Sequence, residues 1–189
     1  MTLSKSDKLK QYIRRIPEFK GVVFWDITTL LKDRNIFWSC VNDISKHFKP
    51  KKVDVVVSPE ARGFILGGAV AHEMIVGFVP IRKSGKLPSK TISLTYAKEY
   101  EKDTIEMHED AISKGDRVLF IDDLLATGGS ALASIRLIEA IGGKVVGLGF
   151  LIELEYLNGK FKEKVQGRYD IYSLVKYKSV NDIRVSKNN

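Results

Sequence analysis

The stretch that most constrains what this chain can fold into runs from Arg117 to Ser130 and reads Arg-Val-Leu-Phe-Ile-Asp-Asp-Leu-Leu-Ala-Thr-Gly-Gly-Ser. Val118 to Ile121 is an unbroken apolar run, which suits a strand buried on both faces. The run is expected to stop at two adjacent carboxylates, Asp122 and Asp123. Ala126, Thr127, Gly128, Gly129 and Ser130 follow as a loop of small residues. Beyond it Leu132, Ile135, Leu137, Ile138 and Ile141 recur with mostly helical spacing. The order is therefore strand, acidic pair, small-residue loop, helix. Two glycines remove the Cβ atoms that would block a close approach, and backbone N–H groups with the helix dipole favour an anion there. Thr127 and Ser130 add hydroxyl donors. That chemistry suits a phosphate.

The acidic pair narrows the kind of phosphate. A carboxylate beside a phosphate loop repels the ligand unless it has something else to hold, such as a ribose diol or a magnesium ion. No Lys follows the glycines as in a Walker A loop, and the G-x-G-x-x-G spacing of dinucleotide folds is absent. The plain alternative is a strand-to-helix turn with Ser130 as cap and two solvated aspartates. At these residues the chain resembles the phosphoribosyltransferase family, whose phosphoribosyl pyrophosphate motif is four apolar residues, two acids and a Thr-Gly loop.

With 189 residues, a single domain with a real core is expected over 1–189. A lone Cys40 in an apolar helical pattern reads as a buried thiol of a reducing compartment. Met1 to Lys10 is polar and lysine-rich, unlike a secretory signal, and no apolar run approaches membrane-spanning length. A cytoplasmic enzyme or binding protein without membrane contact is the expectation. The net charge of +8 suits polyanionic partners, either nucleic acid or a substrate with several phosphates. The one tight basic cluster, Lys46, Lys49, Lys51 and Lys52, surrounds Pro50 ahead of a strand and reads as a solvated connection, so nucleic acid is not the expected partner.

Along the chain, Leu9, Tyr12, Ile13 and Ile16 predict a first amphipathic helix, capped by Ser6 and ending before Pro17. Gly21 to Ile27 is either a short core strand or a flap whose backbone and rings hold a flat base. Residues 1–32 thus form an N-terminal helix and flap. Asp33 is expected to cap a second helix presenting Phe37, Val41, Ile44 and Phe48. Val53 to Val57 predicts a strand, Phe64 to Val76 a helix closed by Gly77, and Phe78 to Ile81 the next strand. Lys144 to Leu154 and Tyr169 to Val175 are further strands. Strands alternating with helices imply an α/β fold, a mainly parallel sheet flanked by helices with ligands at the carboxyl ends of its strands. Three strand ends then carry Glu60 and Arg62, Arg82 and Lys83, and Asp122 and Asp123. From Leu87 to Asp110 two alternating segments flank a charged centre, an exposed hairpin that could serve as a flexible lid. The core is expected over 33–177, with a polar tail over 178–189. His72 and His108 have no companions at metal-ligand spacing.

The resemblance extends from about Leu9 to Tyr177. Gly21-Val22-Val23-Phe24, Glu60-Ala61-Arg62-Gly63-Phe64, Ile81-Arg82-Lys83-Ser84-Gly85-Lys86-Leu87-Pro88 and Glu99-Tyr100 look like the corresponding segments of the adenine-using members of the family, in the same order. It implies a type I phosphoribosyltransferase fold, a homodimer, and transfer of the phosphoribosyl group from phosphoribosyl pyrophosphate to N9 of adenine, giving AMP. It also implies that Ala126, Thr127, Gly128, Gly129 and Ser130 hold the 5′-phosphate, and Asp122 and Asp123 the ribose hydroxyls. Glu60, Ala61, Arg82, Lys83 and Lys86 would face the pyrophosphate, with Tyr100 reaching in from the lid. Adenine would lie between Phe24 and Leu124, near Val23, Trp25, Arg62 and Leu154. Glu99 would be the acid–base residue beside the purine, with Arg62 as its catalytic companion. Magnesium would be held mainly through the substrate rather than by direct protein ligands. Two positions depart from the family pattern. Ala61 stands where Ser is usual, which removes one hydroxyl contact, and Trp25 stands where a basic residue is frequent. Two rivals share the fold. One is a 6-oxopurine enzyme; the other is a phosphoribosyl pyrophosphate-sensing regulator, which salt-dependent DNA or RNA binding would reveal.

Overall fold

The computed structural model describes residues 4–19, 21–97, 102–165 and 167–182. A seven-stranded sheet organises the chain, in the order β5 (Thr91–Ala97), β6 (Lys102–His108), β4 (Gly77–Lys83), β3 (Val55–Pro59), β7 (Arg117–Leu125), β8 (Lys144–Leu154) and β9 (Ile171–Tyr177). Its central pair, β3 (Val55–Pro59) and β7 (Arg117–Leu125), runs parallel, flanked in parallel by β4 (Gly77–Lys83), β8 (Lys144–Leu154) and β9 (Ile171–Tyr177). Every residue of β3 is buried, as expected of a strand covered on both faces. Alternation along the strands divides the core. Val56, Leu119 and Ile121 face one cluster, which includes Leu66 and Val70 of α4 (Arg62–Met74) and Ile44 and Phe48 of α3 (Arg34–Phe48). Val57, Val118 and Phe120 face the other, which includes Ile135 and Ile138 of α5 (Gly129–Ile141). Asp33 caps α3 as its sequence position suggests, accepting from Asn35 N at 3.0 Å and Ile36 N at 3.1 Å. Cys40 is fully buried, and burial pushes its thiol up to about 12.

The N-terminal reading needs correction. The first helix, α1, spans only Lys5–Lys10, and its cap is Ser4, which accepts from Asp7 N at 3.1 Å. Arg14–Phe19 is a strand, β1, paired antiparallel with β2 (Val22–Asp26). The β-branched and aromatic residues of β2 offer a pairing surface that outweighs helical spacing in so short a segment, and a two-stranded ribbon tolerates Pro17. Gly21 to Ile27 thus contains a strand, in a two-stranded ribbon with β1 rather than in the central sheet. Gly77 does not close α4. Ile75, at φ +59°, ends the helix, and Gly77 opens β4 opposite Val55. The short helices α2 (Thr28–Lys32) and α6 (Gly159–Val165) went unread, the latter because Phe161 and Val165 are its only buried residues.

The 87–110 segment does form an antiparallel hairpin, β5 (Thr91–Ala97) with β6 (Lys102–His108). It is more than an exposed flap. β6 continues the main sheet against β4, and Ile105 and Met107 are buried. The expected catalytic Glu99 and the pyrophosphate-facing Tyr100 lie outside the described residues. After β9, Asp182 accepts from Lys178 N at 3.0 Å and from Lys10 Nζ at 3.4 Å, which ties the start of the tail to α1. Among the described residues, no helix is long and apolar enough to cross a membrane.

Candidate active site

The acidic pair is not beyond its strand but within it. β8 is long enough to keep pairing with β7 past the acids, so Asp122 lies opposite Phe150 and Leu125 opposite Glu153. Asp122 is 8% exposed and Asp123 5%. Solvated aspartates are therefore excluded. Asp122 Oδ1 accepts from Asp123 N at 2.8 Å. Arg62 Nε stands 2.8 Å from Asp123 Oδ2 as an ion pair, yet that buried oxygen has no aligned hydrogen-bond donor. Burial, and then the neighbouring Asp123 charge, raise the Asp122 carboxyl well above the usual carboxylate range. Burial raises Asp123 too, against the pull of Arg62. Gly63 makes room for the pair, because a Cβ there would lie 2.9 Å from Asp122 Oδ1. Two buried carboxylates with one unsatisfied oxygen are costly unless a donor arrives from outside the chain.

The loop after β7 turns at Gly128, whose φ of +79° glycine adopts readily. Gly128, at the N-cap of α5, supplies no side-chain cap, which suits the first-turn N–H groups to an anion. Ser130 is thus not a cap. Behind the turn lies Phe161 of α6, seated where a Cβ on Gly128 would have to go. Gly128→Ala should combine left-handed strain with overpacking and destabilise the fold by roughly 2–5 kcal/mol. The denaturant midpoint reads this directly, and an unchanged midpoint would contradict the geometry.

A basic group faces the acids across the cleft. Glu60, following β3, accepts from Arg82 Nε at 2.6 Å and Lys83 N at 2.9 Å, and Lys86 Nζ is 3.4 Å away. Burial works to raise the Glu60 carboxyl, but the Lys83 amide and the Arg82 and Lys86 side chains outweigh it and hold it below the usual range. Glu106 of β6, 5% exposed, accepts from Lys86 N at 3.0 Å and Leu87 N at 3.2 Å and so fixes the loop that carries Lys86. Arg82 and Lys86 remain partly exposed, each with donors beyond those Glu60 uses.

These residues enclose a cleft of about 940 Å³, lined by Phe24, Glu60, Ala61, Arg62, Arg82 and Lys83, and by Asp122, Asp123, Leu124, Ala126 and Ser130. The expected positions do not all meet there. Thr127, Gly128 and Gly129 border a separate hollow on the other side of the loop. At the flap, the Arg62 guanidinium sits 4.7 Å from the Phe24 ring centroid, and Arg62 Nη1 donates to Trp25 O at 3.4 Å. The Trp25 indole turns inward, 2% exposed and stacked on Tyr177 at 4.0 Å, so only its backbone lies near Arg62. Leu154 is buried in the core at the end of β8. Val23 is half-buried beside the bulge between Ile16 and Phe19 and has no register partner. Tyr96 and Asp103, opposite each other in the hairpin, also line the cleft and were missed. Tyr96 shares the alternating face of Ile92 and Leu94, which was the available signal. Among the described residues, no three His, Cys, Asp or Glu side chains are grouped to hold a metal.

Comparison with known proteins agrees with this geometry. Residues 30–184 match the family model of the phosphoribosyl transferase domain. Adenine phosphoribosyltransferase of Koribacter versatilis is 49% identical over 173 residues, covering 90% of this chain and 93% of its own. The crystal structure of adenine phosphoribosyltransferase from Thermoanaerobacter pseudethanolicus superimposes with a TM-score of 0.85 at 46% identity, covering 90% of this chain and 99% of that one. The Giardia lamblia enzyme complexed with 9-deazaadenine gives a TM-score of 0.85 at 37% identity, covering 94% and 100%.

Proposed function

Because the chain belongs to the phosphoribosyltransferase family, we propose that it transfers the 5-phosphoribosyl group from phosphoribosyl pyrophosphate to adenine, releasing pyrophosphate and AMP. The observation that carries this reading is the buried Asp122–Asp123 pair, placed between an uncapped helix N-terminus and the Arg82–Lys83–Lys86 group. A ribose diol supplies the donors the acids lack, and its 5′-phosphate and pyrophosphate then fall on the two groups suited to anions.

In this reading the backbone from Ala126 to Ser130 holds the 5′-phosphate. Glu60 fixes Arg82 and Lys86 so that their remaining donors stabilise charge building on the departing pyrophosphate. Phe24 and Leu124 sandwich the purine, and the backbone of Val23 reads its edge. Arg62, which lies over Phe24, lines the base side of the cleft. Glu99 manages the proton at the purine. No covalent nucleophile is required. The residues fit a magnesium ion that arrives on the substrate, since the acidic pair lines the cleft and Asp123 Oδ2, though ion-paired with Arg62, has no aligned hydrogen-bond donor. When bound, magnesium would add positive charge opposite the leaving pyrophosphate.

A homodimer belongs to the same reading, supported by Ile65 and Phe78, which leave apolar surface exposed on α4 and β4 beside Phe64. We also place the enzyme in the cytoplasm. Adenine, phosphoribosyl pyrophosphate and magnesium incubated with the protein should yield AMP, read by chromatography, and chelation of the metal should stop it. Absence of AMP at saturating substrates would overturn the proposal.

A further inference from the structure

The phosphate loop leans on a helix that cannot stand alone. Seven residues are too few for α6 to be stable by itself, and Phe161 and Val165 are its only buried side chains. Phe161 is nevertheless the side chain seated against Gly128. Around that contact the back of the loop is open, with Thr127, Gly128 and Gly129 bordering a hollow of about 600 Å³ shared with Leu132 and Lys164. Whatever fixes α6 therefore fixes the rear of the loop.

Glu153 is placed to do this. It is 1% exposed in β8, directly opposite Leu125, the residue that precedes the loop. Its Oε1 accepts from Asn158 Nδ2 at 2.9 Å, just ahead of α6, and lies 2.5 Å from Lys162 Nζ within α6. Its Oε2 faces Lys176 Nζ of β9 at 3.5 Å. Lys162 is the chain neighbour of Phe161. A buried carboxylate is costly, and this one is compensated by groups that join β8, β9 and α6 at one point.

We infer that Glu153 is a positioning residue for the phosphate loop, acting through Lys162 and Phe161 to fix the backbone that grips a ligand's 5′-phosphate. This rests on the phosphoribosyltransferase reading of the loop. A merely structural ion pair would lower stability without distinguishing phosphorylated ligands from unphosphorylated ones. The positioning role distinguishes them, because a small displacement of aligned donors can cost up to about a hundredfold.

The test is calorimetric binding of AMP and of adenosine to wild type, Glu153→Gln and Lys162→Met, with the KM for phosphoribosyl pyrophosphate measured alongside. Both variants should lose about tenfold or more in AMP affinity while adenosine affinity holds. The KM for phosphoribosyl pyrophosphate should rise more than kcat falls. Lys162 is partly exposed, so its variant keeps the test available if Glu153→Gln fails to fold. An AMP-to-adenosine affinity ratio equal to that of wild type in the folded variants would overturn the inference. A wild-type protein that fails to prefer AMP over adenosine would instead overturn the reading of the loop itself.

Discussion

Asp122→Asn is expected to weaken phosphoribosyl pyrophosphate binding and to raise the melting temperature at the same time. Hydrogen bonds to a charged group contribute about 1.5–3 kcal/mol, so each acid lost should reduce affinity by roughly one to two orders of magnitude. The stability gain follows from the sign of the linkage. Burial raises the folded-state pKa of Asp122, so the folded chain binds its proton more tightly than the unfolded chain does. Stability from that proton is present below the unfolded value and is lost as pH rises toward the folded one. At neutral pH burying Asp122 costs stability whether it stays ionised or takes up a proton, and the neutral amide avoids that cost. The gain over wild type should shrink as pH falls below the ordinary carboxylate range. Asp123→Asn should lose comparable affinity with a smaller thermal gain, because it also gives up the ion pair with Arg62. Calorimetric titration and melting curves across pH check both effects. Unchanged affinity, or a lower melting temperature for Asp122→Asn at neutral pH, would contradict the role assigned to the pair.

The legible parts of the sequence were those where one residue type has one physical use. The run from Val118 to Ile121 and the glycines before a helical pattern mark the strand and the turn into α5, and the acids between them line the cleft. Alternation of strands and helices gave the parallel sheet, and with it the meeting of Glu60, Arg82 and Asp123 at one edge. What escaped depended on tertiary partners. Ile13 and Ile16 fit a helix and a strand equally well until β2 offers a pairing surface. The burial of Asp122 and Asp123 follows from the eleven residues of β8 beside them, which no local pattern in β7 announces. The inward turn of Trp25 depends on Tyr177, more than 150 positions away. The support of Gly128 by Phe161 likewise joins two segments that look unrelated in sequence.

Choice of base should show the largest effect of all. At the purine 6-position adenine carries an amino donor beside an unprotonated N1 acceptor. Hypoxanthine and guanine carry a carbonyl acceptor beside an N1–H donor. A wall that satisfies one pattern leaves buried groups of the other facing like against like, which can discriminate by about 10⁴ or more. In the proposed reading the backbone of Val23 meets that edge, with Phe24, which lines the cleft, on the ring face. Trp25 does not intrude on this wall, because its indole is packed against Tyr177.

The most direct measurement is pyrophosphate release with phosphoribosyl pyrophosphate, magnesium and one base at a time. Adenine should be turned over, with kcat/KM for hypoxanthine and guanine lower by about 10⁴. Efficient turnover of a 6-oxopurine with little activity on adenine would contradict the assignment of the base. No release with any base would contradict the enzyme itself and favour a regulator on the same fold.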